Sequence, residues 1–261
     1  MKTSGFKIKD YIIAILLAVV FILSASVLML MNRSAEEVPA ETYETSVPIP
    51  TETSIETEPS SELNHSLLED MESGKSFCFV GDSITRGSVT DDIPWYEPMK
   101  PFIRGEIMNF SEGGWTSTWL VDLRDEVPVA DVYVVAIGIN DVLYIDQPLG
   151  AASLEEFMEN LRIFTDALKA RSPDAKFYYI TPWPFLNFPE ETYELCAEFR
   201  AAMAEWCREE GFVCIDPFDT ILQVLLESDP SVYMWNDYHP NAPQGIGLYS
   251  YAVMQESNVT S

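Results

Sequence analysis

The chain has only two histidines, His65 and His239, and four cysteines among its 261 residues. If its chemistry needs a histidine base, there are few candidates. Cys78, Cys196, Cys207 and Cys214 form no C-x-x-C pair and show no metal-ligand spacing, which argues against a zinc site. Cys78 and Cys214 fall in predicted buried strands, where a thiol acts as a small apolar residue. Cys196 and Cys207 lie on one predicted helix about 16 Å apart along its axis, too far for a disulfide. Cys207 with Cys214, across a helix–strand turn, is the one pair a disulfide could join. Basic residues are scarce as well: 15 Lys and Arg face 42 Asp and Glu, for a net charge of −27. The excess is not confined to a tail. Up to Lys75 there are 5 basic and 12 acidic residues, and from Ser76 onward 10 and 30. So acidic a surface repels nucleic acid and anionic polymers, and favours neutral or cationic substrates.

Apolar residues are plentiful by contrast, at 47% with six Trp, which argues for a packed core. Tyr11 to Met31 is an uninterrupted run of 21 apolar or small residues. As a helix it spans about 31 Å, the thickness of a bilayer's hydrocarbon layer. Lys2, Lys7 and Lys9 precede it, which predicts a cytoplasmic tail over 1–10, a transmembrane anchor over 11–31 and an extracytoplasmic remainder. A cleaved signal peptide with Ser24-Ala25-Ser26 as its processing site is the rival, and it too exports the domain. Residues 32–75 are rich in Glu, Thr, Ser and Pro without apolar periodicity, and read as an extended acidic linker. Leu63 to Met71 within it resembles a short helix docking at the domain edge, and His65 reads as solvated.

From Ser76 to about Ser257, strand and helix patterns alternate. Phe77–Val80, Glu106–Phe110, Val132–Ile137, Lys176–Thr181 and Phe212–Ile215 read as strands. A helix is expected from Ser153, which with Glu156 makes a capping box, and its apolar stripe runs through Leu154, Phe157, Leu161, Phe164 and Leu168. A second is expected from Glu190 to Glu210, capped by Gly211. Strands separated by helices mean crossover units, and hence an α/β fold: a three-layer α/β/α sandwich around a five-stranded parallel sheet.

The strand ends carry the chemistry. Gly81-Asp82-Ser83 follows the first strand directly, so a hydroxyl stands where open α/β sheets keep their ligands, with a helix N-terminus behind it. Gly113-Gly114 follows the second strand, Gly138-Ile139-Asn140-Asp141 the third, and Asn236-Asp237-Tyr238-His239-Pro240 lies near the C-terminus. A serine hydrolase needs a nucleophile, a base and oxyanion donors. Ser83 and His239 supply the first two; the N–H groups of Ser83 and Gly114 and the side-chain amide of Asn140 supply the third. The plainer readings are that Asp82 fixes a loop, Asp141 caps a helix and the glycines allow a turn with positive φ. Trp115, Trp183 and Phe185 lie on loops of this rim, and either stack on a sugar ring or simply pack.

These four blocks, in this order between Ser76 and Met254, resemble those of the SGNH/GDSL hydrolases. The resemblance implies a flavodoxin-like sheet, no metal or other cofactor, and ester hydrolysis or acyl transfer through an acyl-serine. One position departs from the pattern: the family's Asp three residues before the histidine is here Asn236, and the nearest carboxylate is Asp237. Either the loop is one residue tighter and Asp237 reaches His239, or Asn236 or a backbone carbonyl orients a Ser–His dyad, or activity is lost. Three functions follow from these alternatives. The first is an extracytoplasmic esterase acting on small acyl esters, most plausibly an O-acetylated carbohydrate. The second is an acyltransferase, and the third an inactive binding module.

Overall fold

Strand β1 (Phe77–Gly81) is buried along its whole length and has neighbours on both edges. In a computed structural model, residues 65–257 other than 146, 148, 149 and 152 are described. The apolar run at residues 11–31, the linker up to 64 and the side chain of His65 lie outside the described residues. Among the described residues no helix is long and apolar enough to cross a membrane.

Four further strands follow: β2 (Ile107–Ser111), β3 (Val132–Ala136), β4 (Lys176–Ile180) and β5 (Val213–Ile215). All pair in parallel, in the order β2-β1-β3-β4-β5. This is the expected five-stranded sheet, and the strands sit within a residue or so of where the apolar runs placed them. Central β1 and β3 are wholly buried, as continuous apolar runs require, while edge strand β2 is only half-buried. The chain steps from β1 to β2 on one side, then crosses back past β1 to β3. Such a reversal opens a crevice at the carboxyl ends of the strands. Register puts Gly81 of β1 between Ser111 of β2 and Ala136 of β3, so the segments carrying Ser83, Gly114 and Asn140 all leave the sheet at one edge.

Eight helices are described: α1 (His65–Glu72), α2 (Ser83–Arg86), α3 (Ser117–Leu123), α4 (Ile139–Leu143), α5 (Leu154–Arg171), α6 (Glu190–Glu210), α7 (Phe218–Glu227) and α8 (Gln244–Glu256). In α5, Ser153 accepts the Glu156 N–H at 3.2 Å, and Phe157, Leu161, Phe164 and Leu168 are fully buried, as the stripe predicts. In α6 the cap is Gly211 at φ +73°, a conformation that a side chain would strain.

Helix α1 lies where Leu63 to Met71 reads as a short docking helix. Leu67 and Met71 are buried in the core, and Asp70 accepts Lys75 at 2.6 Å, Lys176 at 2.9 Å and Tyr178 at 2.8 Å. The folded unit therefore includes at least His65–Glu72. All four cysteines are buried and free, so Cys207 and Cys214 are not joined. The Cys214 sulfur beside it, together with burial, pushes the Cys207 thiol well above its ordinary value, which keeps it protonated.

Candidate active site

The candidate nucleophile, Ser83, stands on a sharp turn that its neighbours force. A Cβ added at Gly81 would come within 2.5 Å of the Ala136 carbonyl oxygen, so only glycine lets β1 run this close to β3 before turning. Asp82 then caps α2, its Oδ1 accepting the Ile84 N–H at 2.9 Å. Helix α2 is a single turn, closed by Gly87 at φ +81°. Ser83, at its first position, is largely buried, and its Oγ lies 2.8 Å from His239 Nε2. The structure thus joins a serine and a histidine 156 residues apart in the chain.

Position 236 settles which residue meets the other ring nitrogen. Asn236 Oδ1 accepts the His239 N–H at 2.7 Å and the Tyr238 N–H at 3.1 Å, and it lies 3.2 Å from His239 Nδ1. Two backbone donors facing one amide atom require that atom to be the oxygen. Facing an acceptor, Nδ1 carries the proton, which leaves the Nε2 lone pair for the Ser83 hydroxyl. Asp237 does not take this place. Its carboxylate accepts Asn187 Nδ2 at 2.7 Å, and it is Asn236, rather than the expected Asp237, that meets His239 Nδ1. The physical reason is the turn itself: an Asx side chain holding the N–H groups two and three residues on must fold in under the histidine. Burial pushes His239 down to about 4.

The residues expected to supply oxyanion donors sit on the neighbouring strand ends. Gly114 adopts φ +79°, as a left-handed turn requires, whereas Gly113 is not in that region. Asn140 is buried, and one hydrogen of its amide goes to the Trp115 carbonyl at 2.8 Å. That bond fixes the nitrogen on the side of the Gly114 loop and leaves the second hydrogen for a ligand. Asp141 is a cap, as expected, but of another helix: it accepts the Ser117 N–H at 3.0 Å and the Ser117 hydroxyl at 2.7 Å, tying α3 to α4.

Trp183 and Phe185 are corrected. Both are fully buried, Trp183 lying 5.4 Å from the Trp95 ring and 4.9 Å from Tyr249, so neither can stack on a sugar. Trp115 is half-buried against Phe110. The aromatics beside the base are Trp235 and Tyr238, with ring centroids 6.3 and 4.4 Å from that of His239. Of these the sequence singles out Tyr238 only as part of the block around His239, and Trp235 not at all.

Asp82 and Asp141 share this buried zone. Burial pushes Asp82 up to about 7 and Asp141 to about 6, and each keeps some of its charge through N–H donors. A carboxyl whose folded value is raised favours the fold fully below its unfolded value of 3.8, and that contribution is lost as pH rises through 6 and 7. The domain should therefore lose stability between about pH 4 and 7. Asp82→Asn, which keeps the capping oxygen but cannot ionise, should gain in melting temperature over wild type on going from pH 5 to pH 8. A difference that does not change with pH in thermal unfolding would contradict this.

Residues 79–243 match the GDSL-like lipase/acylhydrolase family, and the chain belongs to it. By that membership it is an ester hydrolase. No curated protein matches the chain in sequence. Among solved structures, it is similar to an acetylxylan esterase from Geobacillus stearothermophilus at 20% identity, with a TM-score of 0.60, covering 73% of this chain and 97% of the other. A GDSL-like lipase from Parabacteroides merdae is 16% identical, with a TM-score of 0.60 and coverage of 72% and 97%. An α/β hydrolase from the metagenome of Lake Arreo, Spain, is 21% identical, with a TM-score of 0.56 over the same shares. These likenesses show the fold. Catalytic variants of the acetylxylan esterase change a serine, an aspartate and a histidine three residues after that aspartate. This chain has Asn236 at that spacing before His239.

Proposed function

We propose that the chain is a serine esterase of the cell exterior that removes small acyl groups, acetyl above all, from carbohydrate. The observation that carries the chemistry is the 2.8 Å contact between Ser83 Oγ and His239 Nε2, with Asn236 Oδ1 on the far side of the ring. Ser83 Oγ attacks the acyl carbon while its proton passes to Nε2. The developing oxyanion is met by the N–H groups of Ser83 and Gly114 and the free amide hydrogen of Asn140. The tetrahedral species expels the alcohol, which takes the proton from Nε2. Water, activated by the same nitrogen, then releases the acid and frees Ser83.

The acetyl group and the carbohydrate are supported by the acetylxylan esterase similarity and by an acidic surface suited to uncharged substrates. Export and anchoring are supported by the 21-residue apolar run behind Lys2, Lys7 and Lys9, with residues 32–64 as spacer. The test is acetate release by the full chain from 4-nitrophenyl acetate and from acetylated xylo-oligosaccharide. Release from both supports the reading. Release from neither overturns it, and release from the aryl ester alone overturns the carbohydrate assignment.

A further inference from the structure

A groove of about 620 Å³ adjoins the base without being part of the machinery described above. Trp235, Pro243 and Ile246 line it together with Thr90, Asp91 and Glu97. The Trp235 ring is 63% exposed, although its backbone is pinned by its own N–H donating to the His239 carbonyl at 2.9 Å. The largely exposed indole, at 72° to the imidazole of His239, offers an open apolar face to a ligand beside the candidate base. The lining contains two carboxylates and no Lys, Arg or His. Glu97 is paired with Lys100 at 2.5 Å, and neighbouring Asp92 with Arg86 at 2.8 Å. Asp91 has no ion pair among the described residues and sits at φ +56°, a conformation non-glycine residues rarely adopt. Asn241 is already committed, its amide to the Val232 carbonyl at 2.9 Å and its oxygen to the Gly245 N–H. The lining side chain left to a ligand is therefore the Asp91 carboxylate, a hydrogen-bond acceptor with negative charge.

An apolar ring face beside carboxylate acceptors fits a pyranose, which offers C–H faces and hydroxyl donors. It does not fit a long acyl chain, which would leave the carboxylates desolvated, nor an anionic sugar, which they would repel. We propose that this groove is the subsite for the alcohol part of the ester: an uncharged pyranose stacked on Trp235, its hydroxyls held by Asp91. The inference rests on the assignment of Ser83 and His239 as the ester-cleaving pair.

The full chain and its variants are assayed on methyl 2-O-acetyl-β-glucopyranoside, whose other hydroxyls are free, on its 6-carboxylate analogue and on 4-nitrophenyl acetate. Trp235→Ala should lower kcat/KM on the glycoside about tenfold more than on the aryl ester, mainly through KM. Wild type should prefer the uncharged glycoside to the carboxylate by about fivefold, and Asp91→Lys should erase that preference. Equal losses on both esters in Trp235→Ala would mean that the indole only supports His239, and would overturn the subsite, as would a charge preference indifferent to Asp91→Lys. If wild type cleaves none of the three, the esterase assignment fails. Saturation-transfer NMR of methyl β-glucopyranoside on Ser83→Ala then decides the subsite: a signal lost in Ser83→Ala/Trp235→Ala sustains it, and an unchanged or absent signal overturns it.

Discussion

Ser83→Ala should lower kcat on 4-nitrophenyl acetate by about 10⁵-fold or more, because nucleophile and base act as one unit and losing either forfeits nearly the whole covalent route. The residue is largely buried on a one-turn helix capped by Asp82, and removing its hydroxyl leaves that cap untouched. The protein should stay folded and keep binding substrate, since oxyanion donors and groove are unaltered. Residual activity should not depend on His239, so adding His239→Ala to Ser83→Ala should cost almost nothing more. Additive losses in the double variant would show that the two residues do not share a step.

The second large effect belongs to position 236. In a serine protease, changing the triad Asp to Asn lowers turnover about 10⁴-fold because the imidazole adopts the wrong tautomer. That penalty does not arise here, since the N–H groups of Tyr238 and His239 hold the amide oxygen toward Nδ1. What is missing is only the charge, and burial holds the base down at about 4. Asn236→Leu removes the acceptor for Nδ1 and strands two backbone donors, and should lower kcat/KM by about 10³ to 10⁴-fold. Asn236→Asp keeps the acceptor and adds the charge, so it should retain at least wild-type activity at neutral pH. The pH profiles separate the two roles. The protonated base is inactive, so the acid limb of kcat/KM should lie near pH 4 in wild type and move upward in Asn236→Asp. An unmoved limb would mean that Asn236 does not act on the ring. Retained activity in Asn236→Leu would mean the same.

Much of this molecule could be read from the sequence, for reasons that also mark where reading stopped. Strands β1 and β3 were legible because a strand buried on both faces is a continuous apolar run. Helix α5 was legible because it buries one stripe only. Helix α8 has no such stripe: residues on several of its faces are buried, and Gly245 and Gly247 dilute its propensity. Helices α2 and α4, of four and five residues, are too short to show a period at all.

Within the site, Ser83, Gly114, Asn140 and His239 follow from order along the chain, since strand ends of a parallel sheet share one edge. Which of Asn236 and Asp237 meets the ring does not. It depends on a three-residue turn closed by the Asn236 side chain, and composition is silent on side-chain direction. Trp183 and Phe185 failed for a related reason: the segment after β4 dips inward, packing Trp183 between Trp95 and Tyr249, and a sequence shows only that it is a loop.

The most direct test of the account is covalent trapping. The full chain is treated with diethyl 4-nitrophenyl phosphate, and its peptides are read by mass spectrometry. The account predicts one diethylphosphoryl group per chain, on the peptide holding Ser83, formed much more slowly in His239→Ala and in Asn236→Leu. Labelling elsewhere, or a Ser83 label formed equally fast without His239, would contradict it.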